Sequence, residues 1–94
     1  MYHVYILSNK AFGTLYIGVT NDLVRRVYEH KEKLADGFSK EHGLMMLVYY
    51  EAHETIEAAI LREKQMKKWN RDWKLRQIMD FNAEWKDLYP QIVG

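Results

Sequence analysis

The residues with chemical potential fall on a few short periodic segments. After Thr20, the residues Leu23, Val27, His30 and Leu34 recur at spacings of four, three and four, one face of a helix. Arg26 lies three after Leu23 and four before His30, so a guanidinium and an imidazole stack beside an apolar seam. Either Arg26 snorkels outward beside a hydrogen-bonded core-edge histidine, or both groups face a site. In a second helical segment Ile56, Ala59 and Ile60 mark an inner face, and the row continues through Glu63 to Met66. A carboxylate in an apolar row is costly to bury unless a metal ion, Arg26, a neighbouring basic side chain or rim water meets it. Tyr5 and Tyr16 stand in the middle of two β-rich segments, either packed with their hydroxyls at a wet edge or facing a site. Gly18, two after Tyr16, leaves an opening beside that ring wide enough to admit a substrate backbone.

The elements that must hold these groups can be read in order. His3 to Leu7 alternates and is β-rich, Ser8 to Gly13 is a turn, and Thr14 to Val19 returns as the second strand of an antiparallel hairpin. Thr20-Asn21-Asp22 caps a helix that runs to about Leu34 and ends in Ala35-Asp36-Gly37-Phe38; Ser39 to Gly43 is loop. Met45 to Ala52 is nearly all apolar and reads as a central strand, or one covered on both faces. Glu54-Thr55 opens a helix to about Trp69, Asn70 breaks it, and Arg71 to Phe81 forms another. The tail from Asn82 keeps Trp85, Leu88 and Tyr89, enough apolar surface to dock on the body. The order is ββαβαα, an α+β layout with a small three-stranded antiparallel sheet. One domain is expected over residues 1–94, with its core at about 2–82 and the tail 83–94 docked on it.

Composition narrows the class. Apolar residues make up 48% and charged residues 29%, which excludes wholesale disorder. The longest apolar run, Leu44 to Tyr50, is too short to span a membrane, so no membrane association is expected. Met1-Tyr2-His3 carries no basic leader, and the chain has no cysteine, so a cytoplasmic protein without disulfides or thiolate zinc is expected. The net charge of +1 hides an asymmetry: Arg62 to Arg76 holds seven basic residues against two acids. A stripe of that kind is either a solvated helix face or the footprint of a polyanion such as nucleic acid. Trp69 and Trp73 lie within it, at a spacing that favours core and helix-junction packing over base stacking.

Taken together, these residues resemble the GIY-YIG nuclease family. Its first motif appears as His3-Val4-Tyr5, with only the tyrosine kept; the second is intact as Tyr16-Ile17-Gly18, eleven residues on from tyrosine to tyrosine. Arg26 stands ten after Tyr16, where the family places its catalytic arginine, and His30 matches a frequent histidine four further on. Glu63 matches the metal-binding glutamate, and Asn82 the late asparagine, followed here by Ala83 rather than proline. The resemblance covers essentially the whole chain and is closest to the small, standalone bacterial branch.

What the resemblance implies is metal-assisted phosphodiester hydrolysis, leaving a 5′-phosphate and a 3′-hydroxyl, in a setting of DNA repair or recombination. Catalytic residues would be Tyr5, Tyr16, Arg26, His30 and Glu63. Glu63 would hold one Mg²⁺ or Mn²⁺, a hard ion that favours oxygen ligands. Arg26 suits the non-bridging oxygens of the transition state. Tyr16 would be the general base, with Tyr5 and His30 relaying its proton or orienting the water. A free phenol ionises near pH 10, so a tyrosine base needs cationic help or a relay. Some members supply a lysine just after the second motif; here Val19-Thr20 follow. Lys64, Lys67, Lys68, Arg71 and Lys74 flank Glu63 and would track a phosphate backbone, with Gly18 and Asn82 as auxiliaries. The expected partner is nucleic acid, DNA ahead of RNA, with no small-molecule substrate. The alternatives are a binding domain with negligible turnover and an RNA-directed nuclease.

Overall fold

The computed structural model describes residues 1–34 and 37–94; Ala35 and Asp36, which the sequence places at the end of the first helix, lie outside the described residues. Strands β1 (Tyr2–Ser8) and β2 (Leu15–Thr20) form the antiparallel hairpin, with Tyr5 opposite Gly18 and Leu7 opposite Tyr16. Helix α1 (Leu23–Lys31) follows, capped by the Asp22 carboxylate on Arg25 N at 3.2 Å. Then come α2 (Phe38–His42), β3 (Met46–His53), α3 (Ile56–Lys68), α4 (Arg71–Phe81) and α5 (Tyr89–Val93). Thr55 caps α3 through Ala58 N, and Asn70 both separates and caps, accepting from Trp73 N at 3.0 Å to start α4.

The sheet order is β2-β1-β3, so β1 is the central strand and β3 an edge; of the two readings of the third strand, the central one fails and cover on both faces holds. Its apolar run is explained by cover on both faces. Alternation along β1 sends Val4 and Ile6 to one face, where they pack with Ala59, Met66, Ile78 and Trp85 of α3, α4 and the tail. Tyr5 and Leu7 go to the other, against Leu23 and Val27 of α1 and Leu88. A bulge in β3 opposite Ile6 and Leu7 inserts Val48 as an extra residue. The outer edge of β3 is then blunted by the tail: Asp87 accepts from Leu47 N, Leu88 N donates to Leu47 O, and Asn82 donates to Val48 O.

Three local expectations differ. The first helix stops at Lys31 because Lys33 turns to φ 58°, which leaves Leu34 68% exposed rather than on the inner face. Residues 39–43, expected as loop, fall largely in α2, a five-residue helix too short to show apolar periodicity. On α3 the buried positions are Ala59 and Met66, while Ile56 and Ile60 are exposed. Trp85 and Leu88 in the tail are buried.

Candidate active site

Hairpin geometry brings the two tyrosines together. Tyr5 and Gly18 are directly opposed, and Tyr16 lies diagonally from Tyr5 on the same sheet face. A Cβ on Gly18 would stand 2.6 Å from the Tyr5 hydroxyl and 2.7 Å from its Cζ. The space beside Gly18 is therefore filled by the Tyr5 ring, and the expected opening beside Tyr16 is absent. A side chain at position 18 would displace Tyr5, so the glycine sets where the buried phenol lies.

Helix α1 lays His30 and Arg26 over the same face. The rings of Tyr5, Tyr16 and His30 form a triangle, with centroids 6.3 Å (Tyr5–Tyr16), 5.9 Å (Tyr5–His30) and 5.5 Å (Tyr16–His30) apart. His30 Nε2 and the Tyr5 hydroxyl are 3.2 Å apart and hydrogen-bonded. Tyr5 and His30 are buried, at 1% and 3% exposure, whereas Tyr16 is half-buried and the Arg26 side chain is 37% exposed. The pair inside therefore supports, and the pair outside can touch a ligand.

Electrostatics follow from burial. Desolvation pushes the Tyr5 phenol up to about 12, opposed by the nearby Arg26 guanidinium, so it stays protonated at neutral pH. Burial, reinforced by the Arg26 charge and opposed by Glu29, pushes His30 down to about 4, so its ring stays neutral. Arg26 remains charged against the Tyr5 hydroxyl and close to Tyr16. Glu29, which sequence reasoning missed, pairs with Arg26 at 3.2 Å and Arg25 at 3.4 Å and steers the guanidinium. Its i,i+3 and i,i+4 spacing was the available signal. Arg26 lies in a cleft of about 380 Å³ with Thr20, Asn21, Asp22 and Arg25.

Glu63 is not joined to this group. It lies on α3 between Ala59 and Met66, which pack with Val4 and Ile6; its side chain is 19% exposed and pairs with Lys67 at 3.2 Å. Among the described residues no hydrogen bond or ion pair links it to Tyr16 or Arg26, and no three acidic, histidine or cysteine side chains converge. One oxygen-donor carboxylate fits a magnesium or manganese ion that takes its remaining ligands from water and substrate phosphate, once Lys67 is displaced.

The remaining residues sort by what they touch. Lys64 and Lys68 are exposed and form no ion pair among the described residues, and Lys74 is half-buried. Arg71 is held instead by the Phe12 and Gly13 carbonyls at 2.6 and 2.8 Å, clamping α4 to the hairpin turn. The Asn82 amide donates to Val48 O and Lys86 O and accepts from Lys86 N, all within the tail junction. Trp69 meets Trp73 edge-on at 6.2 Å beneath Arg62, but Trp73 is 55% exposed, so its expected core role is corrected. A second network was also missed: Glu51 accepts from Tyr49 Oη at 2.5 Å and Arg62 Nε at 3.0 Å, with His53 Nε2 at 2.6 Å. Burial would raise the Glu51 carboxyl, but these three partners outweigh it and hold it below its ordinary value. The alternation of Tyr49, Glu51 and His53 on one strand was its sequence signal.

The chain is 37% identical over 78 residues to the UPF0213 protein of Clostridium perfringens, covering 83% of each chain. It is 30% identical over 79 residues to the UPF0213 protein of Staphylococcus saprophyticus, covering 84% of this chain and 95% of the relative. A UPF0213 protein of Haloquadratum walsbyi is 32% identical over 73 residues, covering 78% and 82%. No solved structure matches the chain. No helix among the described residues is long and apolar enough to cross a membrane. The GIY-YIG catalytic domain matches residues 1–76, which contain both motif tyrosines, Arg26, His30 and Glu63, and the chain belongs to the GIY-YIG family.

Proposed function

We propose that the protein is an endonuclease that hydrolyses phosphodiester bonds in nucleic acid, DNA ahead of RNA, with repair or recombination as its setting. The observation that carries the reading is the pairing of two accessible groups, Tyr16 and Arg26, over a buried and neutral Tyr5–His30 pair. Arg26 binds the non-bridging oxygens of the scissile phosphate and stabilises the charge that builds there. Its pairing with Glu29 is partly exposed and can yield to the phosphodiester anion. Tyr16 takes the proton of the attacking water.

Tyr5 and His30 are positioning residues. With Tyr5 at about 12 and His30 at about 4, neither exchanges a proton readily at neutral pH, so their hydrogen bond fixes the ring beside Tyr16 rather than relaying its proton. Glu63 would hold Mg²⁺ or Mn²⁺, which supplies neutralisation of phosphate charge and stabilisation of the leaving oxygen. Lys64, Lys68 and Lys74 supply the phosphate contacts along the backbone, with Lys67 joining them once freed from Glu63.

A second reading, a nucleic-acid-binding domain with negligible turnover, is favoured by one observation: Glu63 is engaged by Lys67 and unlinked to Tyr16 and Arg26. The deciding experiment is cleavage of labelled single strand, duplex, flap, four-way junction and RNA hairpin, each with Mg²⁺, Mn²⁺ or EDTA, beside Glu63→Ala. Divalent-dependent cutting that vanishes in the variant is the expected result. Salt-sensitive binding without cutting in any substrate would establish the binding domain instead.

A further inference from the structure

A second cleft lies beside the arginine site, not at it. About 860 Å³ open between the start of α1, the start of β1, β3 and α5. The two clefts share Asn21 and Asp22 as a common wall, so a ligand seated in the larger can reach Arg26 across it. The lining is aromatic. His3 and Tyr50 face one another with ring centroids 6.3 Å apart, and Phe81 meets Tyr50 edge-on at 5.3 Å while remaining 49% exposed. Val24 and Ile92 complete the apolar wall.

The carboxylates of this wall are already engaged. Asp22 caps α1, and Glu51 is taken by Tyr49, His53 and Arg62. His3 Nδ1 is buried without a hydrogen-bond partner among the described residues, and burial foremost holds the ring below its ordinary pKa, so it is a neutral aromatic at pH 7. A cleft lined by His3, Tyr50 and Phe81 next to a guanidinium matches a flat heteroaromatic ring joined to a phosphate.

We propose that this cleft receives an unpaired nucleobase of the substrate strand, flanked by Tyr50 and Phe81, while a phosphate of the same strand lies at Arg26. The inference rests on the nucleic-acid reading above and deepens it: the chain selects strands in which a base is unpaired or can be swung out of the stack. A fully paired duplex leaves the cleft empty and binds through phosphates alone.

The test uses the full chain in EDTA, so that no strand is cut, with 2-aminopurine placed in turn at each position around a single-nucleotide bulge. Stacking quenches this base, so emission should fall several-fold at one position and little elsewhere. Phe81→Ala should abolish the quench and weaken bulge binding roughly 5- to 100-fold, the range for loss of one stacked base. Its affinity for paired duplex should change less than about twofold. Should far-UV circular dichroism show that Phe81→Ala is unfolded, Phe81→Leu keeps the apolar bulk and removes the ring. Salt-sensitive binding with emission unchanged at every position would overturn the base cleft while leaving the nucleic-acid reading intact. A quench that survives loss of the ring would also overturn it. Failure to bind any nucleic acid would bring down both.

Discussion

Gly18→Ala isolates how the hairpin places its buried phenol. The added methyl would lie 2.6 Å from Tyr5 Oη, 2.7 Å from Cζ and 3.0 Å from Cε1, and Tyr5 is 1% exposed, so its ring has no free direction to move. Overpacking of this kind costs about 1–3 kcal/mol. Against it, replacing glycine inside a strand gains roughly 0.5–1 kcal/mol. The net destabilisation should be about 1–2 kcal/mol, a drop in Tm of roughly 5–15 °C for a domain of this size. Tyr5→Leu removes all three opposing atoms. In that background Gly18→Ala should be neutral or stabilising, giving a coupling of about 1–3 kcal/mol in a double-mutant cycle. Urea denaturation of the four proteins, followed by far-UV circular dichroism, measures each value. If Gly18→Ala costs the same with and without the Tyr5 ring, the glycine serves something other than the phenol and the reasoning fails.

Other consequences can be measured alongside. His30 sits at about 4 in the fold against an ordinary 6.5, so the unfolded chain binds more protons between those values. Stability should therefore be full above pH 6.5 and fall by roughly 3 kcal/mol as pH drops to about 4, a slope that urea midpoints should find missing in His30→Gln. Asn82→Ala leaves the buried Val48 carbonyl without its side-chain partner and unties the tail, and should cost about 2–3 kcal/mol by the same denaturation. Replacing Lys64, Lys68 and Lys74 together by alanine should lower the slope of log affinity against log salt by about 2.7 in fluorescence anisotropy. Arg71→Ala, whose guanidinium holds the hairpin turn, should reduce stability rather than that slope.

Much of this architecture was legible because strong local signals agreed. The hairpin followed from alternation and a turn, and the capping run Thr20-Asn21-Asp22, the opening at Glu54-Thr55 and the break at Asn70 marked three helix starts, which Asp22, Thr55 and Asn70 cap in the fold. The spacing of Arg26 and His30 put them together on one helix face, and the fold lays that face over Tyr5 and Tyr16. What escaped depends on non-local geometry. That β3 is an edge follows from pairing order and from a tail that caps it, and an apolar run cannot distinguish two covered faces from two paired edges. Arg71 reads as one more cation of a basic stripe until the hairpin carbonyls meet it in three dimensions. Gly18 reads as an opening because the ring that fills it comes from the neighbouring strand. Glu63 was correctly marked as a half-buried carboxylate, but its partner Lys67 was among several that the sequence allowed.

The account stands on Tyr16 as the group that moves the proton and Arg26 as the group that holds the phosphate. Single-turnover cleavage of the best substrate with Mn²⁺, measured beside anisotropy for wild type and Tyr16→Phe, tests this most directly. The account predicts that Tyr16→Phe binds within about twofold of wild type yet cleaves at least about 100-fold more slowly. Cleavage at the wild-type rate, or equal losses of binding and turnover, would contradict it.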